Sequence, residues 1–282
     1  LNFLYPNKEK AFAYIVLFMP SLIFWGGGVM KDSFMLGATC WTTYCFYHIL
    51  IAREKIFWNV CFLVVNMVMI LNCKPYILIS LIPGFLFWIN NSYLKNIKNT
   101  LIRILVFPAL IIIFIGSGVT IFNGLSGSMG VYGSLDGVIR KAQITQDDLL
   151  REYHYGGNNY KLDRIDGSVS GFLSSAPLAI FTAIFRPLPW EIGSPTMVVS
   201  AIENTVLLLF VLYYLIRIGP FKFFRLIFND PFLVYCFVFS LFFAFGVGIA
   251  GTNFGALVRY KIPLMPFFFS AVYLIRTKSL SK

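Results

Sequence analysis

The chain has 282 residues, of which 58% are hydrophobic and only 12% charged. A soluble domain carries about a quarter charged residues, so a water-soluble enzyme is excluded and an integral membrane protein of one polytopic domain is expected. The 23 Lys and Arg exceed the 12 Asp and Glu, giving a formal net charge of +11, but they punctuate apolar runs without forming a patch. Membrane lipid rather than nucleic acid is therefore the expected partner. Five cysteines without Cys/His metal spacing argue against a metal site and a disulfide framework. The first residue is Leu, which leaves room for further spans upstream and gives no signal peptide to read.

Residues 11–29 form the first apolar run, close to the roughly 20 residues that a helix needs to cross a bilayer. Gly26, Gly27 and Gly28 loosen its end, and Lys31-Asp32-Ser33 follows with almost no loop. Asp32 and Ser33 suit the cap of the next helix, although a Lys-Asp pair at a membrane surface also suits a polar substrate. A second span is expected at 33–51, with His48 packed or interfacial near its end. Arg53-Glu54-Lys55 turns the chain into a third span at 56–72, and Cys73-Lys74-Pro75 into a fourth at 76–90. The basic stretch 91–103 contains no acid and precedes a fifth span at 104–122, where Pro108 is tolerable as a kink.

One long polar segment, 124–170, interrupts this pattern. Gly and Ser make 124–137 a loop, and 138–154 reads as a short surface helix with Thr145 as a candidate cap. Lys161, Asp163, Arg164 and Asp166 alternate in sign like a solvated face. Residues 171–185 are apolar but short and contain Pro177, which predicts a re-entrant or interfacial helix. It delivers the chain to the sequence FRPLPWE at 185–191, where Pro187 and Pro189 fix φ and remove amide donors. A stiff, extended peptide is expected there. Arg186, Trp190 and Glu191 have two readings, an interfacial anchor or the mouth of a site.

The sixth span is 196–216, with Glu203 about two turns inside it. An ionisable residue at that depth is a functional candidate, with snorkelling as the plainer reading. A basic and aromatic stretch at 217–225 leads to a seventh span, 231–251, whose Gly246, Gly248 and Gly251 permit close packing. Residues 253–261 make a compact basic turn, and the eighth span at 262–275 is short enough to begin inside it.

The expected fold is thus an all-α polytopic bundle of about eight spans. It divides into 1–122 with five spans, 123–195 as the extracytoplasmic loop ending in FRPLPWE, and 196–282 with three spans. Alternation gathers Lys8, Lys10, Arg53, Lys55, Lys95, Lys98, Arg103, Arg217, Lys222, Arg225, Arg276, Lys278 and Lys282 on one side. The positive-inside rule makes that side cytoplasmic and puts the long loop outside. Lys31, Lys74, Arg186, Arg259 and Lys261 then fall on the outer face. They are either separate helix-end anchors or a phosphate-binding group, since Arg offers phosphate a bidentate fork and Lys a point charge.

Four blocks carry a family resemblance. PSLIFWGGGVMKDSFMLGA (20–38), KPYILISLIPG (74–84), AP followed by FRPLPWE (176–191) and NFGALVRYKIPLMPF (253–267) resemble blocks of bacterial exopolysaccharide-locus membrane proteins. That group includes O-antigen and exopolysaccharide polymerases and glycosyltransferases using lipid-phosphate sugars. The resemblance implies a multi-pass inner-membrane protein of the cell envelope, making glycosidic bonds at the outer leaflet. Its substrate would be an oligosaccharide on undecaprenyl phosphate or pyrophosphate, and other polysaccharide-assembly proteins would be its neighbours. Lys31, Asp32, Arg186, Glu191 and Arg259 are implied as its substrate site.

A pyrophosphate already leaves readily, so the protein need only neutralise its charge, align the acceptor and take a proton. Arg186, Arg259 and Lys31 suit the first role; Asp32 or Glu191 would be the base, with Glu203 third. Lys74, Lys261 and Trp190 complete the expected binding surface. No Asp-x-Asp or Glu-x-Asp pair lies in an early outer loop, which favours a metal-free polymerase without a cofactor. Two rival classes stay open. A transporter would suit broken helices and Glu203, although no inverted hydropathy repeat is visible. A non-catalytic scaffold could dock partners through the aromatic spans, which share 31 Phe.

Overall fold

A computed structural model describes residues 4–93, 134–151, 159–160 and 168–280. Among them the regular elements are all helices, apart from one isolated bridge between Asn159 and Asn253. Among the described residues five helices are long and apolar enough to cross a membrane: Lys31–Ala52, Ile56–Cys73, Met197–Ile218, Pro231–Ala250 and Phe254–Leu280. The expected first span is instead a pair, α1 (Glu9–Leu17) and α2 (Pro20–Gly26), bent by 52°. Pro20 causes the break, because it lacks the amide that a continuing helix needs.

Helix α3 (Lys31–Phe46) continues through a π-helical segment, Tyr47–Ala52, and α4 (Ile56–Cys73) returns beside it. Helix α5 (Tyr76–Tyr93) has a full 18 residues, but its polar end at Asn90, Asn91 and Ser92 dilutes its hydropathy. The expected fifth span at 104–122 and the alternating charges at 161–166 lie outside the described residues. Helix α6 (Leu135–Leu149) starts at Ser134, whose side chain accepts from the Gly137 amide. Thr145 is therefore mid-helix and not a cap; it donates to Lys141 O at 2.8 Å. Nor is α6 merely a surface helix: buried Gln146 donates to Ile249 O at 2.7 Å.

Two short helices follow, α7 (Val169–Ser174) and α8 (Ala176–Phe185). At about 1.5 Å per residue, the ten residues of α8 cover only half of a bilayer core of roughly 30 Å. Next come α9 (Pro195–Ile218), α10 (Pro220–Asn229), α11 (Pro231–Ala250), α12 (Phe254–Tyr260) and α13 (Met265–Leu280).

Helix α11 is apolar on every side, the pattern of a helix surrounded by others, and it forms the centre of the bundle. Tyr235, Phe239 and Phe243 are fully buried. Phe85 stacks on Tyr235 at 5.1 Å, Trp88 lies 4.8 Å from the same ring, and Phe267 meets Phe239 edge-on at 4.9 Å. The Tyr235 hydroxyl is satisfied by Thr43 Oγ1 at 2.6 Å.

Asp230 caps the start of α11 through Oδ1, which accepts from the amides of Phe232 and Leu233. Tyr5 donates to Oδ1 at 2.7 Å and Lys278 pairs with Oδ2 at 2.7 Å. Burial alone would raise the Asp230 pKa; bonds from Lys278, Tyr5 and the Leu233 amide outweigh it and hold the carboxyl below its ordinary value. This knot marks one end of the bundle. The sequence-derived site residues collect at the other.

Candidate functional site

Asp32 lies in the first turn of α3 but does not cap it: Met30 is the cap residue and no side chain bonds there. The Asp32 carboxylate instead faces its neighbours. Lys74, just past the end of α4, donates to Oδ1, and Arg259 of α12 places Nε 3.1 Å from Oδ2. The second contact is an ion pair set off the hydrogen-bond axis. Asp32 is 3% exposed, so one buried carboxylate serves two cations. Tyr260 adds its ring, 4.8 Å from Lys74 Nζ and 5.3 Å from the Arg259 guanidinium. Burial pushes the Lys74 pKa down, with Asp32 opposing that shift and Arg259 adding to it. The Nη groups of Arg259 meet no acceptor among the described residues, and its side chain is 39% exposed.

Arg186 and Leu188 of the FRPLPWE stretch are extended, as expected, but the stretch closes into a turn at Pro189–Glu191. The Arg186–Pro187 bond is cis, and Pro189–Glu191 forms a 3-10 turn. Glu191 reaches back to close it: Oε1 takes Arg186 Nε at 2.8 Å and also its Nη2, while Oε2 takes the Leu188 amide at 2.8 Å. Two carboxylate oxygens thus replace the ladder that the prolines deny. The Arg186 guanidinium lies 4.8 Å from the Tyr160 ring and 5.1 Å from Phe254. Tyr160 and Phe254 are themselves stacked at 4.4 Å.

Helix α12 therefore links both charged groups, through Phe254 at one end and Arg259 at the other. Asn253 starts it by accepting from the Ala256 amide. Lys261 follows it and is completely buried. Its Nζ donates to Asn204 Oδ1 at 2.7 Å, Ile184 O at 3.3 Å and Arg186 O at 3.4 Å. Asn204 in turn donates to Pro187 O at 3.3 Å. Lys261 is thus a fully buried tie between α12, α9 and the FRPLPWE turn.

Asp32, Lys74 and Arg259 come together, as do Arg186, Glu191 and Lys261. Lys31 is exposed, with no acidic partner among the described residues, and Trp190 is 79% exposed. Glu203 is buried: Oε2 accepts from the Ser21 amide at 3.0 Å and hydroxyl at 2.6 Å, whereas Oε1 has no partner among the described residues. Asn204 and Tyr160 escaped the sequence reading. Asn204 had a signal, a second polar residue beside Glu203 in an apolar run; Tyr160 had none.

A groove of about 400 Å³ runs between α3 and α4, lined by Gly28, Phe34, Gly37, Trp41, Asn66 and Met69 on a different face of α3 from Asp32. Among the described residues no group of three His, Cys, Asp or Glu is placed to hold a metal ion. No family model, curated protein or solved structure matches this chain.

Proposed function

We propose that this chain is a membrane-embedded polysaccharide polymerase or glycosyltransferase acting on undecaprenyl-linked sugars at the outer leaflet of a bacterial inner membrane, without a metal. The observation that supports this is the Asp32–Lys74–Arg259 group, where two cations share one buried carboxylate and the Arg259 side chain stays partly exposed. Its net positive charge, next to exposed Lys31, suits a phosphate of a lipid-linked substrate. Arg259 Nη and Lys31 would hold the phosphates, and Lys74 would add charge from behind. Asp32 or Glu191 acts as base only after releasing a partner, because both oxygens of each are engaged.

On this reading the chain has about eight spans, with residues 124–170 outside and the basic end of the bundle in the cytoplasm. A cysteine at Ser134 is then expected to react with an impermeant thiol reagent in intact cells, and one at Ser279 only after lysis. The reverse pattern puts the proposed site on the wrong face.

A second reading is a non-catalytic scaffold or transporter subunit of an envelope machine. The saturation of Asp32 and Glu191 favours it, since both carboxylates already hold segments together. Arg259→Lys separates the two readings. Lysine keeps the charge beside Asp32 but loses the planar fork. A group that stabilises a leaving pyrophosphate contributes about 2.7–4 kcal/mol, so long-chain polysaccharide should fall tenfold or more at unchanged protein level. Normal output at normal abundance returns Arg259 to the scaffold reading.

A further inference from the structure

The far end of the bundle carries a helix that the proposed site does not use. We propose that α10 is a membrane-surface element, its phenylalanine edge seated among acyl chains and its basic edge resting on anionic lipid headgroups. Gly219, at φ +76°, and Pro220 redirect the chain after α9, so α10 starts as a separate helix. At about 100° per residue, its residues fall into three sectors. Phe223 and Ile227 are buried against the bundle. Phe221, Phe224 and Phe228 form a second sector and are exposed, Phe221 at 94%. Lys222, Arg225 and Asn229 form the third and are exposed as well.

A helix exposed only to water would not present three phenylalanines, and one buried in hydrocarbon would not present Lys222 and Arg225. Only a boundary between the two media satisfies both edges. The neighbours agree. Leu212, Tyr213 and Ile216 near the end of α9 are exposed, Ile216 at 80%, so the phenylalanine edge continues an apolar surface. Arg217 donates to the Tyr213 hydroxyl at 2.9 Å, as a snorkelling side chain does. Asp230, which follows α10, is turned inward onto Tyr5 and Lys278, while Lys222 and Arg225 stay on the exposed edge of α10. Asn91 of α5 donates to Phe228 O at 2.7 Å and holds α10 in this orientation. Basic residues at a surface bind anionic lipid in preference to zwitterionic lipid.

The test uses the full chain with the exposed Cys61 and Cys73 replaced by serine, reconstituted into vesicles of phosphatidylcholine and phosphatidylglycerol. Nitroxides are attached after Phe221→Cys or Lys222→Cys. The label at 221 is expected to collide more with oxygen than with a water-soluble nickel chelate, and the label at 222 the reverse. Equal nickel access at both positions overturns the proposal, as does shielding of 221 from both reagents, which would mean a protein partner. Lys222→Gln and Arg225→Gln provide the second readout. The ratio of phosphatidylglycerol to phosphatidylcholine retained on purification should fall about fivefold for each basic residue removed. An unchanged ratio overturns the headgroup half of the proposal.

Discussion

Replacing Gly248 by alanine should unfold or rearrange the contact between α8 and α11, at a cost of about 3 kcal/mol or more, the upper end of the overpacking range. A Cβ built on Gly248 lies 2.6 Å from the carbonyl carbon of Ala179 and closer still to its oxygen. Both are backbone atoms, so no side-chain rotation relieves the overlap and α8 must move. That movement reaches the charged end, because α8 runs directly into Arg186 and the FRPLPWE turn. Gly246→Ala is the control: its Cβ meets nothing within 4 Å, and alanine gains about 1 kcal/mol of helix propensity over glycine. Thermal unfolding in detergent should show a large fall for Gly248→Ala and no loss for Gly246→Ala. Equal melting temperatures would mean that α8 does not pack on α11 in this way.

Asp32→Ala should cost about 3–5 kcal/mol, the range for breaking a buried ion pair by removing one partner. It strands two cations at once, Lys74 and Arg259, of which Lys74 has a side chain only 12% exposed. Lys74→Met in the Asp32→Ala background should recover much of the loss, since an uncompensated buried charge causes most of it. A melting temperature for Asp32→Ala equal to that of the unaltered chain would show that Asp32 does not hold α3, the start of α5 and α12 together. Loss of stability in Asp32→Ala alongside normal stability but lost polymer output in Arg259→Lys would separate the scaffolding part of this group from its proposed chemistry.

Much of the fold was legible because hydrophobic length is a local property. The runs at 33–51, 56–72, 196–216 and 231–251 each announce a helix close to its observed bounds, and Pro231 and Pro195 open helices at positions where a missing amide costs nothing. Local rules failed where a local partner and a distant one competed. Asp32 stands where a capping residue is expected, yet two cations from other segments outbid the helix amides for its oxygens. Two prolines at 187 and 189 excluded a regular helix, but only Glu191 folding back made a closed turn out of an open one.

By itself the sequence determined the membrane class, the helical architecture and the charged residues that flank the apolar runs. Each follows from the cost of placing polar groups in hydrocarbon. The tertiary structure decided which of those charges meet. Antiparallel packing around α11 brings Asp32, Lys74 and Arg259 into one group, and it buries Lys261 among Asn204 and the carbonyls of Ile184 and Arg186. An ion pair is chosen by distance in space, and spacing along the chain carries no record of that distance once the partners belong to different helices.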